Sequence, residues 1–240
     1  MTDAAQSLEL SIDTASALAS IALTREGRLV TEQTWDCGRV QSRQLLPAID
    51  ALLTQRGLSK DDLRAIFVCI GPGTYAGVRV GVSTAKGLSF GLALPLVGVG
   101  RLEIDAYAFA SYGGPVVAVH KSGRSDFAWA CYEGTTNEER GTGPPPSPSG
   151  WREVIAPRLT PKDALAGELP DGAFVTGDID DELAEQLRAR GLRFATGAAT
   201  IRRASLLAEL GWRRLVSGRT DDPNSLEPLY LREPAIGPQS

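Results

Sequence analysis

A glycine-rich stretch between a predicted strand and a predicted helix has the residue types best suited to chemistry in this chain. It runs Gly71-Pro-Gly-Thr-Tyr-Ala-Gly-Val-Arg-Val-Gly81 and continues with further glycines to Gly91. Backbone amides exposed at the start of a helix bind anions such as phosphate. The same glycines would serve equally well in a simple tight turn. The sequence leaves both interpretations open.

Three catalytic or cofactor motifs overlap this stretch, and each fails on a specific point. Gly71, Gly73 and Ala76 fit the dinucleotide pattern G-x-G-x-x-G/A, but the following strand at 94–99 has no acidic residue at its tip for a ribose hydroxyl. Ser83 nearly fits a nucleophile elbow, but it falls within a helical pattern and not at a sharp strand-to-helix turn. A Walker phosphate loop cannot be drawn here. A nicotinamide-binding enzyme or a serine hydrolase is therefore disfavoured.

Composition excludes several other classes of function. The chain has one histidine, His120, so no mechanism that needs a pair of histidines is available to it. Cys37, Cys69 and Cys131 are widely spaced and form no CxxC motif, which indicates reduced thiols in a cytoplasmic protein. No apolar run is long enough to span a bilayer, so no membrane association is expected. The formal net charge of −4 argues against independent nucleic-acid binding.

The hydrophobic periodicity predicts strands and helices that alternate along the chain. In the first half, the predicted strands are 8–12, 20–24, 29–35, 65–70 and 94–99, and the predicted helices are 42–57, 75–92 and 102–110. In the second half, the predicted strands are 116–119, 127–132, 151–155 and 174–176, and the predicted helices are 180–190 and 205–216.

This order of elements predicts the architecture of the chain. It is typical of an α/β protein with the two-lobed actin-like ATPase fold (ASKHA, ribonuclease H-like), although a fold alone does not assign a function. We expect an amino-terminal lobe at 1–102 and a smaller carboxyl-terminal lobe at 103–240, with the last helix able to pack back on the first lobe. A tract rich in proline, glycine and serine at 137–150 predicts a mobile loop.

The second predicted helix contains four glycines, Gly77, Gly81, Gly87 and Gly91. Each interior glycine costs roughly 1 kcal/mol of helix stability relative to alanine, so a packing advantage must offset them. Gly77, Gly81, Thr84 and Gly91 fall near one face, where small side chains allow another helix or backbone to approach closely. That neighbour is either the same lobe or a partner chain, and the pattern does not decide between them.

Several blocks of the sequence, in a fixed order, resemble the TsaB family. They are Ile12-Asp13-Thr14-Ala15, Ser42-x-x-Leu45-Leu46-Pro47-x-Ile49-Asp50, the Gly71–Gly81 stretch, Ala85-Lys86-Gly87-Leu88, Pro95-Leu96-x-Gly98-Val99 and Pro228-Leu229-Tyr230-Leu231-Arg232. The resemblance is strongest over residues 8–104. It implies an actin-like fold and a role in making threonylcarbamoyladenosine in tRNA.

The resemblance also implies partners. It implies a non-catalytic subunit that forms a heterodimer with TsaD, the paralogue that performs threonylcarbamoyl transfer, with the small ATPase TsaE as a further partner. Alone, the chain is expected to form a homodimer, and it would meet tRNA only through the complex. ATP, bicarbonate and threonine belong to the wider pathway, and no cofactor or metal is expected on this chain alone. The catalytic paralogue holds its metal with paired histidines, which His120 by itself cannot supply.

In this family, the two helices that follow the first three strands form the subunit contact. The residues expected at the partner interface are Leu45, Ile49, Leu52, Leu53, Gly77, Val78, Gly81, Val82 and Ala85. The residues expected at a vestigial phosphate site, or at a capped turn in its place, are Asp13, Thr14, Gly71, Gly73 and Thr74. Departures from the family pattern at Gln41, Ala76 and His120-Lys121 argue against nucleotide binding.

Basic residues on two predicted helices allow two interpretations. Arg79 and Lys86 are seven residues apart on one helical face, where they either contact a partner's carboxylates or are solvated. The arginine pairs at 202–203 and 213–214 either help the complex to meet tRNA or form a solvated helix face. The main alternative function is an autonomous ATP-dependent phosphotransferase of the actin-like fold. That function requires nucleotide binding at the 71–73 turn.

Overall fold

The computed structural model describes residues 7–38, 40–135 and 149–231. Over these residues the chain forms two five-stranded sheets, one from each half of the sequence. The loop predicted at 137–150 lies outside the described ranges except for its last two residues. Within the described ranges, no helix is both long enough and apolar enough to cross a membrane.

The first sheet is built from the amino-terminal half of the chain. Its strands are β1 (Leu8–Asp13), β2 (Leu18–Arg25), β3 (Arg28–Asp36), β4 (Leu63–Cys69) and β5 (Leu96–Val99). The helices that follow β3, β4 and β5 are α1 (Gln41–Thr54), α2 (Tyr75–Leu92) and α3 (Arg101–Tyr107). The strand order is β3-β2-β1-β4-β5. Strand β2 pairs antiparallel with both β1 and β3, whereas β4 pairs parallel with both β1 and β5.

The second sheet repeats this arrangement. Its strands are β6 (Val116–Ser122), β7 (Asp126–Thr135), β8 (Ser149–Pro161), β9 (Phe174–Gly177) and β10 (Arg193–Phe194), with helices α4 (Lys162–Glu168) and α5 (Asp181–Ala189). Its order is β8-β7-β6-β9-β10. If the strands of each half are counted along the chain, both sheets have the same spatial order: third, second, first, fourth and fifth. The first three strands pair antiparallel, and the remaining strands pair parallel. This duplicated topology confirms the predicted two-lobed actin-like, ribonuclease H-like fold.

The central strands explain why the apolar patterns of the sequence are so strong there. Every residue of β1 is buried, and nearly every residue of β4, because the first sheet is covered by helices on both faces. A strand buried on both faces favours a continuous apolar run, as β4 has from Ala65 to Cys69, whereas β1 buries Glu9, Ser11 and Asp13 between its apolar residues. The edge strand β3 has a mostly half-exposed or exposed surface, as expected for a strand with one unpaired side.

The last helix, α6 (Ala204–Val216), packs on the first sheet and not on the second. Leu207, Ala208 and Leu210 of this helix belong to the core of the first sheet. Gly211 lies directly on the ring of Phe67, where a Cβ atom would overlap the ring carbons. The first lobe is therefore closed by a segment from the far end of the chain.

Some predicted boundaries differ from the structure. Helix α3 ends at Tyr107, and a short 3-10 turn at Ala110–Tyr112 follows it, so the helix predicted at 102–110 is interrupted. Strand β8 is much longer than the predicted 151–155, and α4 and β10 were not predicted at all. Pro47 lies inside α1, beyond its first turn.

Candidate functional site

A cleft between the two sheets gathers several charged residues that are buried or half-buried. Asp13 lies at the carboxyl end of β1, and His120 lies near the carboxyl end of β6. Asp178 directly follows β9, and Arg101 is the first residue of α3. Arg202, in the segment before α6, completes the group. In open α/β sheets, ligands bind outside the carboxyl ends of the strands. This cleft is therefore where a nucleotide would be sought in an actin-like fold.

Arg202 fills the part of the cleft next to the first sheet. Its Nε donates to Oδ2 of Asp13 at 2.7 Å, and its Nη2 donates to Oγ of Ser16 at 2.9 Å. Oδ1 of Asp105 lies 3.9 Å from the same Nε. The Arg202 and Asp13 side chains are only 9% and 2% exposed. Burial acts to raise the pKa of Asp13, but the Arg202 charge and hydrogen bond outweigh it and hold that pKa below its usual value.

Arg101 joins this group to the second sheet. Its Nε donates to Asp105 at 3.2 Å, and its Nη2 donates to Asp178 at 3.0 Å. Oδ2 of Asp178 also lies 2.5 Å from Nδ1 of His120. Burial lowers the pKa of His120, and the Arg101 charge lowers it further, although Asp178 opposes both effects. The imidazole is therefore neutral near pH 7. Its Nδ1 also lies 2.6 Å from Nη1 of Arg101, so it donates to Asp178 in one tautomer and accepts from Arg101 in the other.

The charge balance of the cleft does not favour an anion. Two arginines face three aspartates and a neutral histidine, so the group carries no positive charge in excess. Burial raises the pKa of Asp105 despite its two arginine neighbours, because Asp13 and Asp178 add to the effect. Each guanidinium is already committed to carboxylates of the same chain. A phosphate group would have to displace these contacts to bind here.

The glycine-rich turn packs on the turn that follows β1. The amide of Thr74 donates to the carbonyl of Ala15 at 2.9 Å, and a Cβ atom at Gly73 would overlap that carbonyl. Oγ1 of Thr14 donates to the carbonyl of Gly77 at 2.7 Å. These glycines thus allow two backbone segments of the same lobe to touch.

The five residues predicted at a vestigial phosphate site do come together, but they bind one another and nearby residues. Asp13 accepts from Arg202 and from the amide of Ala15, and the carbonyl of Gly71 accepts from the amide of Arg101 at 2.7 Å. Gly71 adopts a φ of 96°, a conformation that favours glycine. The arrangement is that of a capped turn, which was the second interpretation of the sequence.

The prediction that nine α1 and α2 residues meet a partner is corrected by their burial. Leu45, Ile49, Leu52, Leu53, Val78, Val82 and Ala85 all belong to the core of the first sheet. Gly77 and Gly81 are buried too, with Thr14 so close that a Cβ atom at either glycine would overlap it. The apolar stripe of each helix faces its own lobe because the sheet must be covered. Any partner would meet the opposite side of these helices.

That opposite side has its own apolar residues and open glycines. Leu46, Tyr75 and Phe90 are 54%, 47% and 55% exposed. A Cβ atom at Gly87 or Gly91 would meet nothing within 4 Å. We call the exposed α1 and α2 residues the outer helix surface; it consists of Leu46, Tyr75, Arg79, Ser83, Gly87, Phe90 and Gly91.

The basic residues singled out in the sequence are mostly engaged within the chain. Arg79 lies over the ring of Tyr75, 5.0 Å from its centroid, whereas Lys86 donates to the carbonyl of Leu226 at 3.1 Å. Arg214 contacts the Glu103 carboxylate and the carbonyl of Gly98. The solvated alternative is therefore wrong for Arg214 and for the buried Arg202, whereas Arg79 is exposed on α2.

Other candidate chemistry finds no site among the described residues. Ser83 is exposed on α2, far from any strand-to-helix turn. The thiols of Cys37, Cys69 and Cys131 are free and buried, and burial raises the pKa of Cys131 to about 11. Within residues 7–38, 40–135 and 149–231, no three His, Cys, Asp or Glu side chains are grouped so that they could hold a metal.

Sequence reasoning missed four residues of the cleft, Arg101, Asp105, Asp178 and Arg202. Arg101 and Asp105 have the i,i+4 spacing of a helical ion pair and follow a predicted strand, so this part of the site carried a readable signal. Asp178 also follows a strand end. Arg202 reaches the site only through the fold and gave no local signal.

Two sheets of the same strand order, joined across a charged cleft, define an α/β protein of the actin-like, ribonuclease H-like class. The chain is 29% identical to the tRNA threonylcarbamoyladenosine biosynthesis protein TsaB of Escherichia coli K12 over 93% of this chain and 94% of that one. For the Haemophilus influenzae TsaB, the identity is 28%, over 93% and 92%. Over nearly its whole length, the chain is thus similar to TsaB proteins.

A family model and a solved structure are also similar to this chain. The model described as TsaD, tRNA N6-adenosine threonylcarbamoyltransferase, matches residues 36–142. A crystal structure from Pseudomonas aeruginosa, of an uncharacterized protein with similarity to peptidase YEAZ, superposes with a TM-score of 0.78 at 23% identity. The superposition covers 94% of this chain and all of the other, and at this identity it supports the fold alone.

Proposed function

We propose that this chain acts in the biosynthesis of threonylcarbamoyladenosine in tRNA, as a non-catalytic scaffold and activator of TsaD. Its relatives from E. coli and H. influenzae are named as biosynthesis proteins of this modification. In the proposal, the chain and TsaD form a heterodimer, and TsaD transfers the threonylcarbamoyl group to the adenosine next to the anticodon. TsaE is a further partner, and tRNA is bound through the assembled complex.

One observation carries the non-catalytic part of the proposal: the guanidinium of Arg202 lies between Asp13 and Asp105 in the cleft. A nucleotide-dependent enzyme of this fold needs free amides and free positive charge at this place. Here the glycine-rich turn is packed against the β1 turn, and both arginines are paired with aspartates. An internal ion pair takes the place that a phosphate would need.

The outer helix surface is the surface that we assign to TsaD. Leu46, Tyr75 and Phe90 expose large apolar or aromatic side chains, which are the residue types that dominate subunit contacts. Gly87 and Gly91 have open space above them, so a helix of the partner can approach the α2 backbone closely. Without TsaD, we expect two copies of this chain to pair through the same surface.

Co-expression with the TsaD of the same organism tests the interaction. We expect the two proteins to co-elute in size-exclusion chromatography, and Phe90→Asp to abolish co-elution while the circular dichroism spectrum is unchanged. Val216→Asp is the matched control, because Val216 is 62% exposed on α6, away from the outer helix surface. Failure of the wild-type proteins to co-elute, or equal loss with both variants, would refute the assigned surface.

The catalytic role is tested separately. We expect the isolated chain to hydrolyse no ATP and to modify no tRNA, and we expect modification by TsaD and TsaE to increase when this chain is added. Enzyme-like ATP turnover by the chain alone would instead favour the autonomous phosphotransferase.

A further inference from the structure

A second cavity, of about 550 Å³, lies between the two lobes and outside the cleft. Its walls include Glu103 of α3, Arg213 and Arg214 of α6, and Tyr132 and Trp151 of the second sheet. No residue of the Asp13–Arg202 group lines it. Sites for small molecules have volumes of about 300–1,000 Å³ and lie preferentially at the junctions of domains. This cavity therefore has the size and the place of a ligand site.

The cavity carries an excess of positive charge. Arg152, Arg213, Arg214 and Arg219 line it together with the carboxylates of Glu103 and Glu153. Among the lining residues, four guanidiniums face two carboxylates, and Glu133 pairs with Arg152 from outside the lining. Glu103 is the more buried of the two carboxylates and forms an ion pair with Arg214. An anion is the ligand that such a lining attracts.

Parts of the lining are held in place before any ligand binds. Arg214 is anchored by the carbonyl of Gly98 and by Glu103, and Arg213 lies over the ring of Tyr107, 5.9 Å from its centroid. Trp151 stacks on Tyr132, with ring centroids 5.7 Å apart and planes 11° from parallel. The buried Nε1 of Trp151 has no hydrogen-bond partner within the described chain. Preorganised donors and a rigid aromatic wall lower the entropy cost of binding.

We propose that this cavity binds a small phosphorylated metabolite, with the phosphate held by Arg213 and Arg219 and the organic part against Trp151. Guanidinium groups match phosphate oxygens in pairs, so several arginines around one concave space favour phosphate over a single carboxylate. The space is bounded by both lobes, which suits a compact ligand better than a long polymer. This inference depends on the cavity alone and holds whether or not the chain binds TsaD.

Calorimetric titration of the purified chain with pyrophosphate and with ADP tests the proposal. Pyrophosphate probes the arginines alone, whereas ADP adds an aromatic group, so we expect both to bind saturably and ADP to bind more tightly. The double variant Arg213→Ala, Arg219→Ala should weaken both by about tenfold or more, because each charged hydrogen bond contributes more than 1 kcal/mol. Arg28→Ala, which removes an exposed arginine of β3, is the control and should bind as the wild type does.

A variant that removes a negative charge from the lining, and should therefore strengthen binding, makes the test more specific. Glu153→Gln removes a carboxylate from the lining and should strengthen binding, whereas Glu185→Gln removes an exposed carboxylate of α5 and should have no effect. The proposal is overturned if neither probe binds saturably at millimolar concentration, or if control and cavity variants behave alike. It is also overturned if a short RNA binds through these arginines and neither pyrophosphate nor ADP competes with it.

Discussion

The Arg202 guanidinium donates to the Asp13 carboxylate at 2.7 Å, although the two residues are 189 positions apart in the chain. The bond ties the segment that enters α6 to the carboxyl end of β1. Through Asp105 and Arg101, the same group of charges reaches Asp178 and the second sheet. One network of ion pairs thus connects the last helix and both lobes.

Removing Arg202 is expected to destabilise the fold strongly. Arg202→Ala leaves the buried Asp13 without its ion-pair partner, and loss of one member of a buried ion pair costs about 3–5 kcal/mol. Arg203→Ala is the control, because that side chain is 60% exposed and lies 3.7 Å from Glu32; it should cost less than about 1 kcal/mol. Urea unfolding at pH 7 measures both. Similar midpoints for the two variants would contradict the structural role of Arg202.

His120 is expected to make stability depend on pH. Its pKa in the fold lies below the ordinary value, because burial and Arg101 disfavour the imidazolium. Between that folded pKa and about 6.5, the unfolded chain binds more protons than the folded chain, so acidification lowers this residue's contribution to stability. The contribution is complete above about pH 6.5 and is lost as pH falls through the folded pKa.

The variant His120→Gln isolates this effect from those of the carboxyl groups. We expect the stability difference between wild type and variant, measured by urea unfolding, to shrink as pH falls from 7.5 to 5.5. A difference that stays constant or grows over this range would show that the imidazole is not held neutral by the cleft.

Two glycine-to-alanine substitutions should change the stability of the protein in opposite directions. Gly211→Ala places a methyl group against the ring of Phe67 and should destabilise the protein by about 1–3 kcal/mol. Gly87→Ala meets nothing within 4 Å and should stabilise α2 by up to about 1 kcal/mol, because alanine is the better helix former. Thermal unfolding at a concentration where the chain is monomeric compares them. Destabilisation by both would mean that Gly87 is not in open space.

The three cysteines are expected to be unreactive until the protein unfolds. Cys37, Cys69 and Cys131 are 2%, 1% and 0% exposed, and burial raises the pKa of each thiol. Since the thiolate is the reactive form, Ellman's reagent should react with none of them in the native protein and with all three in urea. Rapid reaction of Cys37 in native buffer would indicate that the segment after β3 opens readily.

Most of the fold could be predicted from the sequence because the sheets are buried and their apolar runs are strong. The elements that were missed have weak local signals. Strand β10 has only two residues and exists because it pairs with β9, and α4 is one of the shortest helices. The end of β8 is held by pairing with β7 over residues 158–161, not by an alternating pattern of its own.

The candidate site was predicted only in part, for a related reason. A pattern of small residues identifies the face at which something approaches closely, but not which part of which chain approaches. Gly77 and Gly81 were suited equally to a partner and to the turn at Thr14, and the structure places them against Thr14. Arg202 had no signal at all, because its role depends on a contact across most of the sequence.

The position of α6 has a consequence for the order in which the protein is made. Residues 204–216 cover the face of the first sheet where Phe67 lies, so this face stays bare while the intervening second lobe is being translated. Apolar surface exposed during synthesis invites chaperones and aggregation. The amino-terminal half therefore cannot complete its folding on the ribosome until almost the whole polypeptide has emerged.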